Sequence, residues 1–195
     1  MKSFLMNPLE LFAWSATMIF TLVSVGCKED NPAAPAPANP QELITKVILT
    51  LTENGTTNTT SATYNDPDGD GGNAPTIGTL TLKAGTTYNG VIELLDETKS
   101  PADTITAEVE EESDVHQFFY TPEGGILGRV AVSITDTDAN NLPVGLEYMV
   151  TVTAGAAANG TLNVVLSHYD ASPKNGTTPS DESDLDIDFP VSITN

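Results

Sequence analysis

The sequence ELITKVILTLT, residues 42–52, decides the fold class of this chain. Val47, Leu49 and Leu51 alternate with Ile48, Thr50 and Thr52, which is the two-residue period of a strand with one buried face. Further short runs rich in β-branched residues follow, separated by clusters of Gly, Asn, Pro and Asp. They cover residues 57–64, 79–82, 87–95, 115–120, 130–135, 146–153, 161–168 and 185–194.

The strand pattern predicts a mainly β protein. Roughly nine short strands in one domain favour an immunoglobulin-like antiparallel β-sandwich, in which two sheets cover each other's apolar faces. A lipocalin-like closed β-barrel is the alternative. Turns are predicted at four Asn-Gly dipeptides, which accept positive φ and begin at Asn54, Asn89, Asn159 and Asn175. Asn159-Gly160 lies between two strand runs and gives the clearest hairpin prediction.

One segment, residues 101–112, predicts a short helix instead of a strand. Ser100 is placed to be the N-cap, Pro101 the first helical residue and Asp103 the reciprocal partner three residues on. Ile105 and Val109 then form an apolar stripe at i, i+4 spacing, so we expect this helix to pack on one side of the sandwich.

The N-terminal segment predicts a bacterial lipoprotein. An apolar run, residues 11–25, ends just before Cys27, the only cysteine of the chain. We therefore expect a signal peptide over residues 1–26, with the start at Met1 or Met6, and lipidation of Cys27. The alternative is an uncleaved anchor helix. Residues 27–40 combine the acidic tripeptide KED with a Pro/Ala tract and predict a semi-rigid tether, followed by one domain over residues 41–195.

The sequence after the cysteine also predicts a cellular location. Lys28-Glu29-Asp30 resembles the short export tag of surface lipoproteins in Bacteroidota-type bacteria, which implies an outer membrane location facing the cell exterior. The alternative is a solvated, charged chain terminus. The formal net charge is −20, with 27 acidic residues against 7 Lys+Arg, so nucleic acid is excluded as a partner. Membrane attachment is then expected from the lipid, and cations are the natural ligands of such a surface.

Two loops rich in aspartate predict calcium sites. In the first, DPDGDGGN over residues 66–73, Asp66, Asp68 and Asp70 alternate with residues that let the loop curl. In the second, DTDANNLPVGLE over residues 136–147, the hard oxygen donors are Asp136, Asp138, Asn140 and Glu147. This second loop resembles the Asp-rich calcium repeats of bacterial surface proteins and thrombospondin type 3 modules. The alternatives are an Asx-rich loop for the first and a plain hairpin loop for the second.

A third candidate site contains the only two histidines of the chain, His116 and His168. If the predicted helix runs on slightly, Glu108, Glu112 and His116 share one helix face, and Glu112, His116 and His168 become transition-metal ligands. Nothing in the sequence brings His168 near His116, and the alternative is a solvated helix face with two unrelated histidines.

A family resemblance spans the chain from about Glu42 to Thr194. The chain resembles a family of small, uncharacterised surface lipoproteins of Bacteroidota, some of which carry a label for type 1 periplasmic-binding folds. The residues that carry the resemblance are 42–45 (ELIT), 66–72 (DPDGDGG), 86–88 (TTY), 116–120 (HQFFY), 143–146 (PVGL) and 186–190 (DIDFP). It implies a location and at most a fold, but no activity. The chain lacks the alternating strand–helix pattern that two α/β lobes require.

These features together predict a non-enzymatic, ligand- or partner-binding surface lipoprotein, accessory to a TonB-dependent uptake system and with loops that bind Ca²⁺. The chain has no nucleophile elbow, phosphate loop or His-Glu-x-x-His motif. One alternative function is transition-metal capture through His116 and His168. Another is a structural or adhesive surface protein.

Overall fold

The computed structural model describes residues 42–69 and 71–195. The predicted signal peptide, the lipidation site Cys27 and the predicted tether to residue 40 lie outside the described residues, as does Asp70. In the described part, eleven strands and one helix follow each other along the chain. The strands are β1 Lys46–Glu53, β2 Thr59–Asn65, β3 Thr76–Ile77, β4 Leu80–Lys83, β5 Thr87–Asp96, β6 Asp103–Thr104, β7 His116–Gly124, β8 Val130–Ile134, β9 Glu147–Val152, β10 Ala158–His168 and β11 Glu182–Thr194; the helix is α1 Ile105–Glu111.

The strands form two sheets. One has the order β3-β2-β1-β5-β9-β8, with β6 also pairing with β5, and the other has the order β4-β11-β10-β7. All pairs are antiparallel except β4 with β11, which run parallel. Over the described residues the two sheets stay separate and do not close into one ring. The mainly β sandwich expected from the sequence is confirmed, and the closed-barrel alternative is wrong.

The core lies between the sheets and follows the alternation seen in the sequence. Val47, Leu49 and Leu51 of β1 are fully buried, while their neighbours in the strand are partly exposed. On the opposite sheet the inward residues of β10 and β11 are buried in the same way: Leu162, Val164 and Leu166, and Leu185, Ile187 and Phe189. Burial of these side chains is the main force that holds the sheets together.

The helix is shorter than the sequence predicted. It begins at Ile105 instead of Pro101, because Asp103 and Thr104 pair with Asp96 and Leu95 as strand β6. Ser100 is therefore not the N-cap; Thr104 holds that position without a side-chain cap bond. The buried face, formed by Ile105 and Val109, is as expected. Backbone pairing with β5 outweighs the local capping signal.

Two of the four predicted Asn-Gly turns are wrong. Gly55 and Gly176 have the positive φ of turn glycines, with values of 78° and 79°. In contrast, Asn89-Gly90 lies inside β5 and Asn159-Gly160 lies inside β10. The predicted hairpin at Asn159 does not form, because β9 and β10 belong to different sheets and the chain crosses between them.

Candidate metal centre and carboxylate-lined cavity

The two histidines meet as cross-strand neighbours. His116 begins β7 and His168 ends β10, and the antiparallel register pairs these two residues directly. Their rings stack with centroids 4.5 Å apart and planes inclined by 25°. Both residues are buried, with exposed fractions of 0% and 3%. The structure thus brings together two candidate ligands whose proximity no sequence pattern predicts.

A third candidate ligand, Asp184, lies at an irregularity in β11. Leu166 pairs with Leu185 and Ser167 pairs with Ser183, so Asp184 is the extra residue of a β-bulge. A bulge re-aims the side chain of the extra residue. Here it directs Asp184 inward, where its side chain is 2% exposed. Strict alternation from Leu185 would have placed Asp184 on the outer face. The sequence pattern therefore did not predict Asp184 as a ligand.

The three side chains converge. Nε2 of His116 lies 3.2 Å from Oδ2 of Asp184, and Nδ1 of His168 lies 3.6 Å from Oδ1 of the same carboxylate. Taking one ligand atom from each residue, all three lie within 4.8 Å of one another. Nε2 of His116 and Oδ2 of Asp184 are buried, and neither has an aligned hydrogen bond. Two imidazoles and one carboxylate are a ligand set suited to Zn²⁺ and related transition metals.

An outer ring of acceptors orients the histidines. Nδ1 of His116 lies 3.1 Å from the carbonyl of Glu112; because a carbonyl only accepts, this nitrogen carries the proton and Nε2 is left to face Asp184. Nε2 of His168 lies 3.1 Å from Oδ1 of Asp170. Metal-binding histidines commonly have such partners on the second nitrogen. Glu112 therefore contacts His116 through its main-chain carbonyl, whereas the sequence predicted its carboxylate as a metal ligand.

The electrostatics of the cluster favour a cation. Burial opposes protonation of His116, but the Asp184 carboxylate and the Glu112 carbonyl outweigh it, so the pKa of His116 is raised. Nearby, burial, a hydrogen bond with Glu108 and the charges of Glu108 and Asp184 raise the pKa of Glu42 to about 7. Acidic groups are crowded here, and added positive charge relieves their mutual repulsion.

Asp184 also faces a solvent-accessible cavity of about 350 Å³. The cavity lies between residues 42–44, the loop that follows β2, and the first half of β11. Glu42, Asp66, Asp184 and Asp186 contribute to its lining. The cavity therefore borders one residue of the candidate metal centre.

The two described aspartates of the first predicted calcium loop, Asp66 and Asp68, interact with each other but differ in their other partners. Oδ2 of Asp68 accepts hydrogen bonds from the main-chain and side-chain nitrogens of Asn73, at 2.9 and 2.7 Å, and these bonds lower the pKa of Asp68. Asp66 is instead buried beside the cavity, with Oδ2 accepting from the Tyr64 hydroxyl at 3.1 Å. The Asp68 contacts are those of an Asx-type loop closure. Calcium binding here stays a prediction.

The second predicted calcium loop has its aspartates engaged by the protein itself. Asp136 accepts from the main-chain nitrogens of Gly145 and Leu146, at 2.8 and 2.9 Å. Oδ1 of Asp138 accepts from the main-chain nitrogens of Asn140 and Leu142. Its other oxygen, Oδ2, pairs with the Lys174 ammonium at 3.0 Å.

The other two predicted ligands of this loop lie apart from that pairing. Asn140 contributes its main-chain nitrogen to Asp138, and Glu147 lies in β9 as an exposed residue paired with Val91. The Lys174 ammonium supplies the positive charge that a calcium ion was expected to bring. Calcium binding by this loop also stays a prediction.

Comparisons with known proteins add little to this geometry. No protein-family model and no curated protein matches the chain. Among solved structures, a crystal structure of domains 4 and 5 of the S-layer protein SbsC is similar at 12% identity and a TM-score of 0.28, covering 75% of this chain and 77% of that chain. At that TM-score, the fold assignment rests on the strands and sheets themselves. In residues 42–69 and 71–195, no helix has the length and hydropathy needed to cross a membrane.

Proposed function

We propose that this β-sandwich binds a divalent transition-metal ion through His116, His168 and Asp184. The observation that carries the proposal is the convergence within 4.8 Å of one ligand atom each from His116, His168 and Asp184, together with the absence of an aligned hydrogen bond at Nε2 of His116 and Oδ2 of Asp184. Nε2 of His116 and Oδ2 of Asp184 face each other at 3.2 Å without an aligned hydrogen bond, and a metal ion would satisfy all three ligands together. The outer contacts to Glu112 and Asp170 fit a site whose ligands are held in position.

Metal capture is the activity that this ligand set supports. Three protein ligands leave a fourth position for water or for an exchanging ligand, and a cavity lined in part by Asp184 adjoins the site. We propose no hydrolytic step at this site. The proposed role is therefore to bind and hand over a metal ion, not to catalyse a reaction.

The cellular setting of the proposal rests on the sequence alone. Lipidation of Cys27 attaches the domain to the outer membrane, and a TonB-dependent receptor is the proposed recipient of the metal. A Cys27→Ser variant should move the protein from the membrane fraction to the soluble fraction. An unchanged distribution would show that Cys27 is not the anchor.

The metal site is tested by titrating the purified domain with Zn²⁺ and with Co²⁺, whose absorption reports a tetrahedral site. We expect one ion per chain. Asp184→Asn, which keeps the size of the side chain, and the His116→Ala/His168→Ala double variant should each weaken binding at least a hundredfold. Asp170→Asn, which changes an outer contact, should weaken it by roughly 10- to 100-fold.

Asp188→Asn is the matched control, since it removes a carboxylate from the same strand on the outward face. Its affinity for the metal should equal that of the wild type. If the wild type, the Asp184 variant and this control bind Zn²⁺ equally, the ion is held by the acidic surface and the proposal fails.

A further inference from the structure

The cavity beside the metal centre has a second feature that the metal does not use. Asp66 lies at the end of the cavity formed by the loop after β2, and it is 6% exposed. Its Oδ2 accepts from the Tyr64 hydroxyl, but its Oδ1 is buried without a hydrogen-bond partner. An unsatisfied buried carboxylate oxygen destabilises the folded protein. A ligand that donates a hydrogen bond to this oxygen would remove that destabilisation.

The lining of the cavity selects positive charge. Glu42, Asp66 and Asp184 bring carboxyl groups to it from three separate segments, and the described lining contains no lysine or arginine. An anion would be repelled by these carboxyl groups, and a neutral donor would satisfy the hydrogen bond of Asp66 without compensating its buried charge. A cation does both, so a cation is the ligand that this lining favours.

The spacing of the carboxylates favours an organic cation over a bare metal ion. Among the described residues, Glu42, Asp66 and Asp184 do not form a group whose ligand atoms all lie within 4.8 Å of one another. These carboxylates of the cavity are therefore not gathered around one point. A cavity of about 350 Å³ holds roughly ten waters at about 30 Å³ each, which is far more than one ion needs.

The walls of the cavity are suited to a hydrocarbon stem. Leu43, Ile44, Leu185 and Ile187 line it beside the carboxylates, and Leu43 is 50% exposed. Apolar walls with a few fixed polar groups are typical of small-ligand sites. A charged nitrogen on a short aliphatic chain matches both parts of this surface, because the stem packs on the walls while the head donates to Asp66.

We infer that this cavity binds a primary ammonium or guanidinium group on a short aliphatic stem, with Asp66 as the main charged partner. The group can come from a free amine or from a lysine or arginine side chain of an extended peptide. This site shares Asp184 with the proposed metal centre, but Asp66 belongs to the cavity alone and the two histidines belong to the metal centre alone.

Calorimetric titration of the purified domain tests the inference with three probes. The first is 1,5-diaminopentane, the second its diacetylated neutral form, and the third a lysine-containing tetrapeptide. We expect the amine, the peptide or both to bind, and the neutral form not to bind. Binding of the amine, with or without the peptide, identifies a small-amine site. Binding of the peptide alone identifies a peptide side chain as the source of the charged group.

The variants separate this site from the metal centre. Asp66→Asn should weaken amine binding at least tenfold and leave Zn²⁺ binding unchanged, while the His116→Ala/His168→Ala variant should do the reverse. Glu42→Gln, which changes a partly exposed side chain, gives a second variant if Asp66→Asn fails to fold. Asp188→Asn, on the same strand as Asp184 but outside the cavity, is the control and should bind the amine as the wild type does.

Three results would overturn the inference. The first is no binding of any positively charged probe at millimolar concentration. The second is equal binding by the wild type, Asp66→Asn and Glu42→Gln, which would indicate diffuse attraction to the acidic surface. The third is Asp66-dependent binding of Ca²⁺ with no binding of amine, which would identify a metal site instead.

Discussion

At the scale of single residues, buried ionic groups decide how the loops are held. The Lys174 side chain is 1% exposed, and its ammonium contacts the Asp138 carboxylate at 3.0 Å and the Ser113 carbonyl at 2.8 Å. This one side chain therefore joins the loop after β8, the loop after β10 and the segment after α1. Removing one partner of a buried pair leaves the other charge without compensation.

We predict that Asp138→Asn lowers the free energy of unfolding by about 3–5 kcal/mol, because the buried Lys174 ammonium loses its counter-charge. Denaturant unfolding at neutral pH measures the change. Glu97→Gln is the matched control, since the Lys46–Glu97 pair has the same charges on partly exposed side chains and should contribute at most about 1 kcal/mol. Equal effects of the two substitutions would contradict the prediction.

The Asp138–Lys174 pair also predicts how the stability of the protein changes at acidic pH. Burial opposes ionisation of Asp138, but the Leu142 and Asn140 main-chain nitrogens and Lys174 outweigh it and lower its pKa below the ordinary 3.8. A lowered folded-state pKa stabilises the protein above the unfolded-state pKa, and this stabilisation is lost as the pH falls through the folded-state value. The stability difference between wild type and Asp138→Asn should therefore be constant near neutral pH and shrink below about pH 3.8. A difference that stays constant through that acid range would argue against the ion pair.

At the scale of elements, two glycines are required by packing between strands instead of by turns. A Cβ at Gly160 would lie 2.3 Å from the Glu123 carbonyl oxygen of β7, and one at Gly90 would lie 2.4 Å from the Tyr148 ring. Both glycines follow an asparagine, so the same dipeptide that forms a turn at Asn54 marks a close approach in β5 and β10. The Asn-Gly dipeptide therefore indicates that glycine is needed, but not whether a turn or a close contact between strands requires it.

We predict that Gly160→Ala destabilises the domain by about 1–3 kcal/mol, because the added methyl forces β7 and β10 apart. Thermal or denaturant unfolding gives the value. Asn159→Ala is the control: Asn159 is exposed in the same strand, so this substitution should change stability by no more than about 0.5 kcal/mol. A neutral Gly160→Ala would mean that the strands accommodate the methyl group.

At the scale of the whole molecule, the net charge of −20 is the dominant electrostatic property. Charge of one sign keeps a protein soluble, but it destabilises the compact state by self-repulsion. The repulsion is screened by salt over about 10 Å at 0.1 M ionic strength. Both the proposed metal centre and the proposed amine cavity belong to this acidic protein, whose negative field attracts cations.

We predict that the melting temperature rises as NaCl is added, because screening reduces the repulsion. Differential scanning calorimetry in CaCl₂ at matched ionic strength then tests the calcium prediction for the Asp66 and Asp136 loops. A further rise that a chelator reverses would confirm calcium binding. Coincident melting curves in the two salts would reject it.

The sequence by itself determined the fold class and the faces of the strands. Alternation in residues such as Val47, Leu49 and Leu51 is local, and burial of one face follows directly from it. It also identified His116 and His168 as candidate ligands. Only the tertiary structure decided that they meet and that Asp184 joins them, because this depends on the register of β7 on β10 and on a bulge in β11. Register between distant strands is set by competition among all possible pairings and by packing of the core. A local sequence pattern does not determine either of these.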